Sequence, residues 1–166
     1  MLDLFLTIAP HRMATTGLDK VYRRETCAGK VYDDVRMEIR SGLTGTAELM
    51  VGEEHTAPRI GSGKVHVLAT PVMINLIEAA ALDAIERFLP AGFQSLGTVL
   101  NVRHIAATPV GMRVRATAEV MNTEGRTVFF KVEARDEKDL IGDGTHERVV
   151  VNVAKFDERV QRKLRP

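Results

Sequence analysis

The sequence predicts an α+β fold in which one antiparallel sheet wraps a single long helix. Two observations carry this. Residues 68–89 hold the one long helical pattern of the domain, and beyond it the chain falls into four apolar–polar stretches joined by short connections. The sheet's apolar face and the helix's broad apolar arc must cover each other, and a sheet curved around the helix is the simplest way to do so. A two-layer α+β sandwich with another strand order fits the same pattern.

Residues 1–41 form an N-terminal extension to which the sequence assigns no chemistry. Val21 to Arg40 mixes Tyr22, Val31, Tyr32, Val35, Met37 and Ile39 with charges, a pattern suited to an added strand or an edge cover. Residues 42–166 make one domain. Thr44 to Val51 reads as a first strand, and Gly52 to Gly63, with Pro58, Gly61 and Gly63, as a polar loop. Lys64 to Ala69 gives a short extended lead into the helix. Thr70 followed by Pro71 matches an N-cap hydroxyl before a proline at the first helical position, and Pro90 with Gly92 ends the helix.

In the strand from Ser95 to Ile105, Leu100, Val102 and His104 share one face and Val99, Asn101 and Arg103 the other. Met112 to Met121 places Val114, Ala116, Ala118 and Val120 against a wet side of Arg113, Arg115, Thr117 and Glu119. Asn122 to Gly125 is a hairpin turn. Thr127 to Arg135 then aligns Val128, Phe130, Val132 and Ala134. Leu140 to Val153 is the last strand, its glycines at 142 and 144 marking a bend or bulge, and Lys155 to Lys163 is a short polar helix.

Composition excludes several classes of function. Of 166 residues, 45% are hydrophobic and 27% charged, and 23 basic against 22 acidic residues leave a net charge of +1 with no basic stripe for nucleic acid. Two tyrosines, six phenylalanines and no tryptophan offer little for base stacking. No apolar run approaches the roughly 20 residues of a membrane span, and Leu2 to Ala9 lacks the basic flank of a signal peptide. The single cysteine, Cys27, fits a reducing cytoplasm and reads as an incidental thiol. The five histidines show no tight metal-ligand spacing, so no metal or other cofactor is expected.

The helix carries one misplaced charge. At about 100° per residue, Asn75, Asp83, Glu86 and Arg87 share a polar arc, whereas Glu78 falls about 20° from Ile85 and about 40° from Ile74 and Leu82. A carboxylate on the apolar side predicts a pocket or a buried mate, Arg103 or another base being the structural alternative. Val72 and Leu76 lie in the polar arc and suggest cover from a second subunit or the extension. Thr70, Glu78 and His104 thus stand out by environment. Thr70 and Glu78 are about 12 Å apart along the axis, so a compact site needs His104 between them or a second subunit. A hydroxyl, an imidazole and a carboxylate suit acyl transfer, with helix-start N–H groups and Gly97 placed to stabilise an oxyanion.

At these residues the sequence resembles the fluoroacetyl-CoA thioesterase-like family of hotdog-fold thioesterases. The similarity runs from about Gly42 to Lys163. It is carried by Ala69-Thr70 leading to Leu76-Ile77-Glu78-Ala79-Ala80, by Ser95-Leu96-Gly97-Thr98, by Val102 to Gly111 and by Ile141 to Arg148. The family's catalytic threonine, glutamate and histidine fall on Thr70, Glu78 and His104, and its active-site glycine on Gly97. The resemblance implies a homodimeric hotdog hydrolase that cleaves an acyl-CoA thioester without a metal. Thr145-His146-Glu147-Arg148 reads as a structural feature of the family. Where the fluoroacetyl-specific member carries lid phenylalanines, this chain has Gly61, Ser62, Gly63 and Lys64, so a different or broader short acyl group is expected. Hydration of a double bond and non-catalytic acyl-CoA binding are the competing functions of this fold.

Overall fold

The computed structural model describes residues 38–165. Cys27 and residues 1–37 of the extension lie outside the described residues. Within them, five strands and one long helix follow the expected order: β1 (Thr44–Met50), a short α1 (Ala57–Ile60), α2 (Thr70–Ile85), β2 (Phe93–His104), β3 (Arg113–Glu124), β4 (Thr127–Asp136), β5 (Leu140–Asn152) and α3 (Val153–Arg162). The strands form one antiparallel sheet in the order β1-β3-β4-β5-β2, which leaves β1 and β2 at the edges. Helix α2 lies against the inner face, mainly on β1 and β3 and only lightly on β2.

Strict alternation builds the core. Val114, Ala116, Ala118 and Val120 of β3 and Val128, Phe130, Val132 and Ala134 of β4 are all buried, beneath Met73, Ile77, Ala80, Ala81, Ala84 and Ile85 of α2. Ile39, just before the sheet, joins them. Leu76 belongs to this core as well, so it is covered within the chain rather than by a second subunit. Small residues on the helix let β1 approach its backbone: a methyl group built at Gly45 would collide with the Ala84 amide and the Ala80 carbonyl.

Several local features depart from the sequence pattern. Thr70 does not cap α2. Ala69 is the N-cap, in extended conformation and with no side-chain cap, which places Thr70 at the first helical position and Pro71 at the second. The helix ends at Ile85 and continues only as a 3₁₀ turn over Glu86–Phe88, so Pro90 follows the end rather than making it. Residues 64–69 form no strand. They run alongside α1 through one bridge between Thr56 and Leu68, and the polar loop before them folds into α1 and a 3₁₀ turn over Glu53–His55.

Three strands carry an extra residue opposite their partner: Thr98 in β2, Met121 in β3 and Ile141 in β5. The last of these falls beside the glycines that marked a bend. Helix α3 starts two residues early because the Asn152 side chain accepts a hydrogen bond from the Lys155 amide at 3.1 Å.

The contact at Gly45 is directly testable. Because the colliding atoms are backbone, Gly45→Ala must push the strand off the helix, and a loss of about 1–3 kcal/mol in urea unfolding is expected. An unchanged midpoint would show that β1 does not sit on the α2 backbone.

Candidate active site

Two polar clusters lie on the inner face of β2, one near each end. The first is formed by Thr70 and His104. Relieved of capping, the exposed Thr70 hydroxyl lies 2.9 Å from His104 Nδ1. His104 is the last residue of β2 and is half-buried, and burial lowers its pKa below the ordinary 6.5, which keeps the ring neutral near pH 7. The backbone of Ala106 opposes that shift, while the buried Nε2 makes no well-formed hydrogen bond among the described residues. A cavity of about 310 Å³ opens beside this pair, walled by Ala57, Ser62, Val67 and Ile105 among others.

The second cluster gathers around Glu78, whose side chain is 35% exposed. A methyl group at Gly97 would overlap the Glu78 carboxylate, so glycine is what lets the carboxylate rest on the strand. The Arg148 guanidinium reaches Glu78 Oε1 at 3.5 Å, and His146 Nε2 stands 4.0 Å from the same oxygen. Arg148 is buried and also donates to the Ser95 hydroxyl and carbonyl, each at 2.9 Å. Burial lowers its pKa and the Glu78 charge opposes that pull.

The predicted residues therefore pair differently from expectation. Thr70 meets His104, and Glu78 meets Gly97, but His104 is not the mate of Glu78. Gly97 and His104 are seven residues apart along β2, roughly 23 Å at about 3.3 Å per residue. Arg103, the structural alternative, faces outward and forms a two-point ion pair with Asp143 at 2.8 and 2.6 Å. Arg148 supplies the base instead, and His146 enters the constellation rather than standing apart from it. Both were legible in principle: stepping back by two from the apolar Val150 puts Arg148 and His146 on the inner face of β5.

Among the described residues no three His, Cys, Asp or Glu side chains are grouped to hold a metal. No helix among them is long and apolar enough to cross a membrane.

Burial lowers the pKa of His146 as it does that of His104. Between those depressed values and the ordinary 6.5, the folded chain binds fewer protons than the unfolded chain. Stability therefore rises with pH across that window and is lost as pH falls through it. Urea midpoints measured from about pH 7.5 to about pH 5 should fall, and the fall should be shallower in His104→Gln. Identical slopes in the two proteins would contradict the burial of His104.

The sequence profile of the fluoroacetyl-CoA-specific thioesterases matches residues 51–154. The fluoroacetyl-CoA thioesterase of Streptantibioticus cattleyicolor is 45% identical over 97 residues, covering 58% of this chain and 70% of the relative. A Thr-to-Ser mutant of the fluoroacetyl-CoA thioesterase, solved in complex with acetyl-CoA, superposes with a TM-score of 0.72 at 36% identity, covering 77% of this chain and 100% of the other. A thioesterase superfamily member from Thermus thermophilus gives 0.70 at 37% identity, over 75% of this chain and 92% of that one. A single sheet around one helix, with the family profile spanning both clusters, makes the chain a hotdog-fold member of the fluoroacetyl-CoA-specific thioesterase family.

Proposed function

We propose that the protein hydrolyses acyl-CoA thioesters of small acyl groups, and that it does so as a homodimer whose site draws on both subunits. The observation that carries the second part is the His104 Nε2 atom. A buried imidazole nitrogen without a partner costs roughly 1–3 kcal/mol, and a catalytic imidazole needs an orienting acceptor on that side. Glu78 is such an acceptor, but it sits near the other end of β2.

Pairing across the edge of β2 that no described strand covers would join them. The strand is twelve residues long and exposes Val99 and Leu100 at its middle, at 43% and 39%. A long apolar edge strand is a ready site for association. An antiparallel two-fold between Leu100 and Asn101 sets Gly97, and the carboxylate above it, opposite His104 of the partner subunit. Each dimer then holds two sites, in which Thr70 and His104 face Glu78 of the partner subunit.

The chemistry follows from that arrangement. With its proton on Nε2 directed to the carboxylate, His104 accepts the Thr70 hydroxyl hydrogen at Nδ1. The Thr70 oxygen attacks the thioester carbonyl, and the new oxyanion lies near the positive end of α2. Collapse breaks the C–S bond, and the CoA sulfur leaves with the proton held by His104. The same imidazole then takes a proton from water, whose oxygen attacks the acyl-threonine ester. Departure of the Thr70 oxygen, reprotonated by His104, frees the carboxylic acid.

The small walls Ala57 and Ser62 and the absence of lid phenylalanines from residues 61–64 support acyl groups beyond fluoroacetyl. The compartment implied by the one cysteine is the cytoplasm.

Thiol release from a panel of short and medium acyl-CoAs tests this reading. Wild-type protein should turn over short members, and Thr70→Ala and His104→Ala should each lower kcat by about 10²–10⁴-fold. Glu78→Gln should also be strongly impaired. Activity surviving all three substitutions would overturn the assignment. In light scattering the protein should have twice the 18.3 kDa chain mass; a monomer that retains full activity would remove the shared site.

A further inference from the structure

We infer that His146 is a positioning residue for the Glu78 carboxylate, acting through Arg148. This rests on the reading that Glu78 serves the reaction. Within the steps above His146 has no part, yet it is wholly buried and every polar atom of its ring is engaged.

The proton on the ring can be assigned from its neighbours. Nδ1 lies 2.8 Å from the Val99 carbonyl, which can only accept, so Nδ1 carries the hydrogen. Nε2 lies 3.2 Å from an Arg148 NH1 group, which can only donate, so Nε2 presents its lone pair. The ring is therefore neutral. Burial lowers its pKa most, the Val99 carbonyl opposes, and the Arg148 charge lowers it further. Its 4.0 Å approach to Glu78 is accordingly not an ion pair.

This fixes where the Arg148 cation points. A guanidinium is a rigid planar fork. Ser95 holds two of its nitrogens, and His146 takes a hydrogen from the third, the same NH1 that faces Glu78 at 3.5 Å. Without the His146 acceptor, NH1 would be held only by that long contact. The Nδ1 hydrogen bond acts on the same site from below, because Val99 directly follows the extra residue Thr98 that sets Gly97 under the carboxylate. Phe130, stacked on the ring at 5.9 Å between centroids and 28° between planes, keeps the imidazole in place.

Two amide substitutions separate positioning from plain structure. Asparagine can reproduce the Nδ1 donor to Val99 but not the Nε2 acceptor; glutamine can reproduce the Nε2 acceptor toward Arg148. His146→Asn should lower kcat by about tenfold to hundredfold with KM nearly unchanged, and His146→Gln should stay within about threefold of wild type. In a Glu78→Gln background His146→Asn should cost no more than about twofold, since the carboxylate it positions is already gone. The opposite order, with asparagine active and glutamine not, or additive losses in the double variant, would make His146 merely structural and overturn the inference. If Glu78→Gln alone leaves turnover intact, the reading of Glu78 itself fails, and the inference with it. Ring nitrogen NMR on the unaltered protein gives a check that needs no variant: Nδ1 protonated and Nε2 bare is expected, and the reverse tautomer or a charged ring contradicts it.

Discussion

One extra residue in β2 determines what the inner face of that strand can hold. Side chains alternate along a strand, so Gly97 and His104, an odd and an even position, would fall on opposite faces of a regular one. Thr98 has no counterpart on β5, and the register resumes after it with the parity changed. Ser95 and Gly97 before the bulge and Val102 and His104 after it all face α2. The carboxylate of Glu78 can then lie on Gly97 while the hydroxyl of Thr70 meets His104, on one helix and one strand.

The electrostatics of the two clusters are complementary. At the start of α2 a neutral, half-buried imidazole faces a hydroxyl beside the positive end of the helix, a setting that favours charge developing on oxygen. Near the other end of β2 a half-exposed anion is held by a buried cation, itself tied to Ser95 and His146. A buried guanidinium is tolerated because each of its nitrogens has an acceptor, and much of its worth is the direction it gives to the carboxylate. Either cluster alone lacks something: the first an acceptor for Nε2, the second a nucleophile.

Periodicity revealed the scaffold well, because alternation in β3 and β4 reports burial directly and, of the core side chains there, Phe130 has a second task, against the His146 ring. Residues 114–120 and 128–134 bury the positions that their pattern predicts. The candidate residues were legible one by one, through Glu78 on the wrong arc and His104 among apolar neighbours, but their pairing was not. A bulge leaves no compositional mark at Thr98, so the sequence could not say how far along the strand each partner would sit. Thr70 illustrates a second limit. A threonine before proline suits a cap and equally suits the first helical turn, and only the extended Ala69 decides between them. Thr145 to Arg148 reads as structural because nothing in the sequence brings His146 near the other candidates, although the alternation from Val150 turns Arg148 and His146 inward.

The central claim is that Thr70 and His104 of one subunit work with Glu78 of the partner subunit, and mixing two inactive variants tests it most directly. Thr70→Ala and Glu78→Gln are each purified, combined in equal amounts, and exchanged by mild denaturation and refolding. If the site is shared, each mixed dimer places both substitutions in one site and leaves the other intact, and thiol release should return to roughly a quarter of the wild-type rate. If each site is built within one subunit, every site in the mixture carries a lesion, and activity that stays at the level of the separate variants would contradict the shared site.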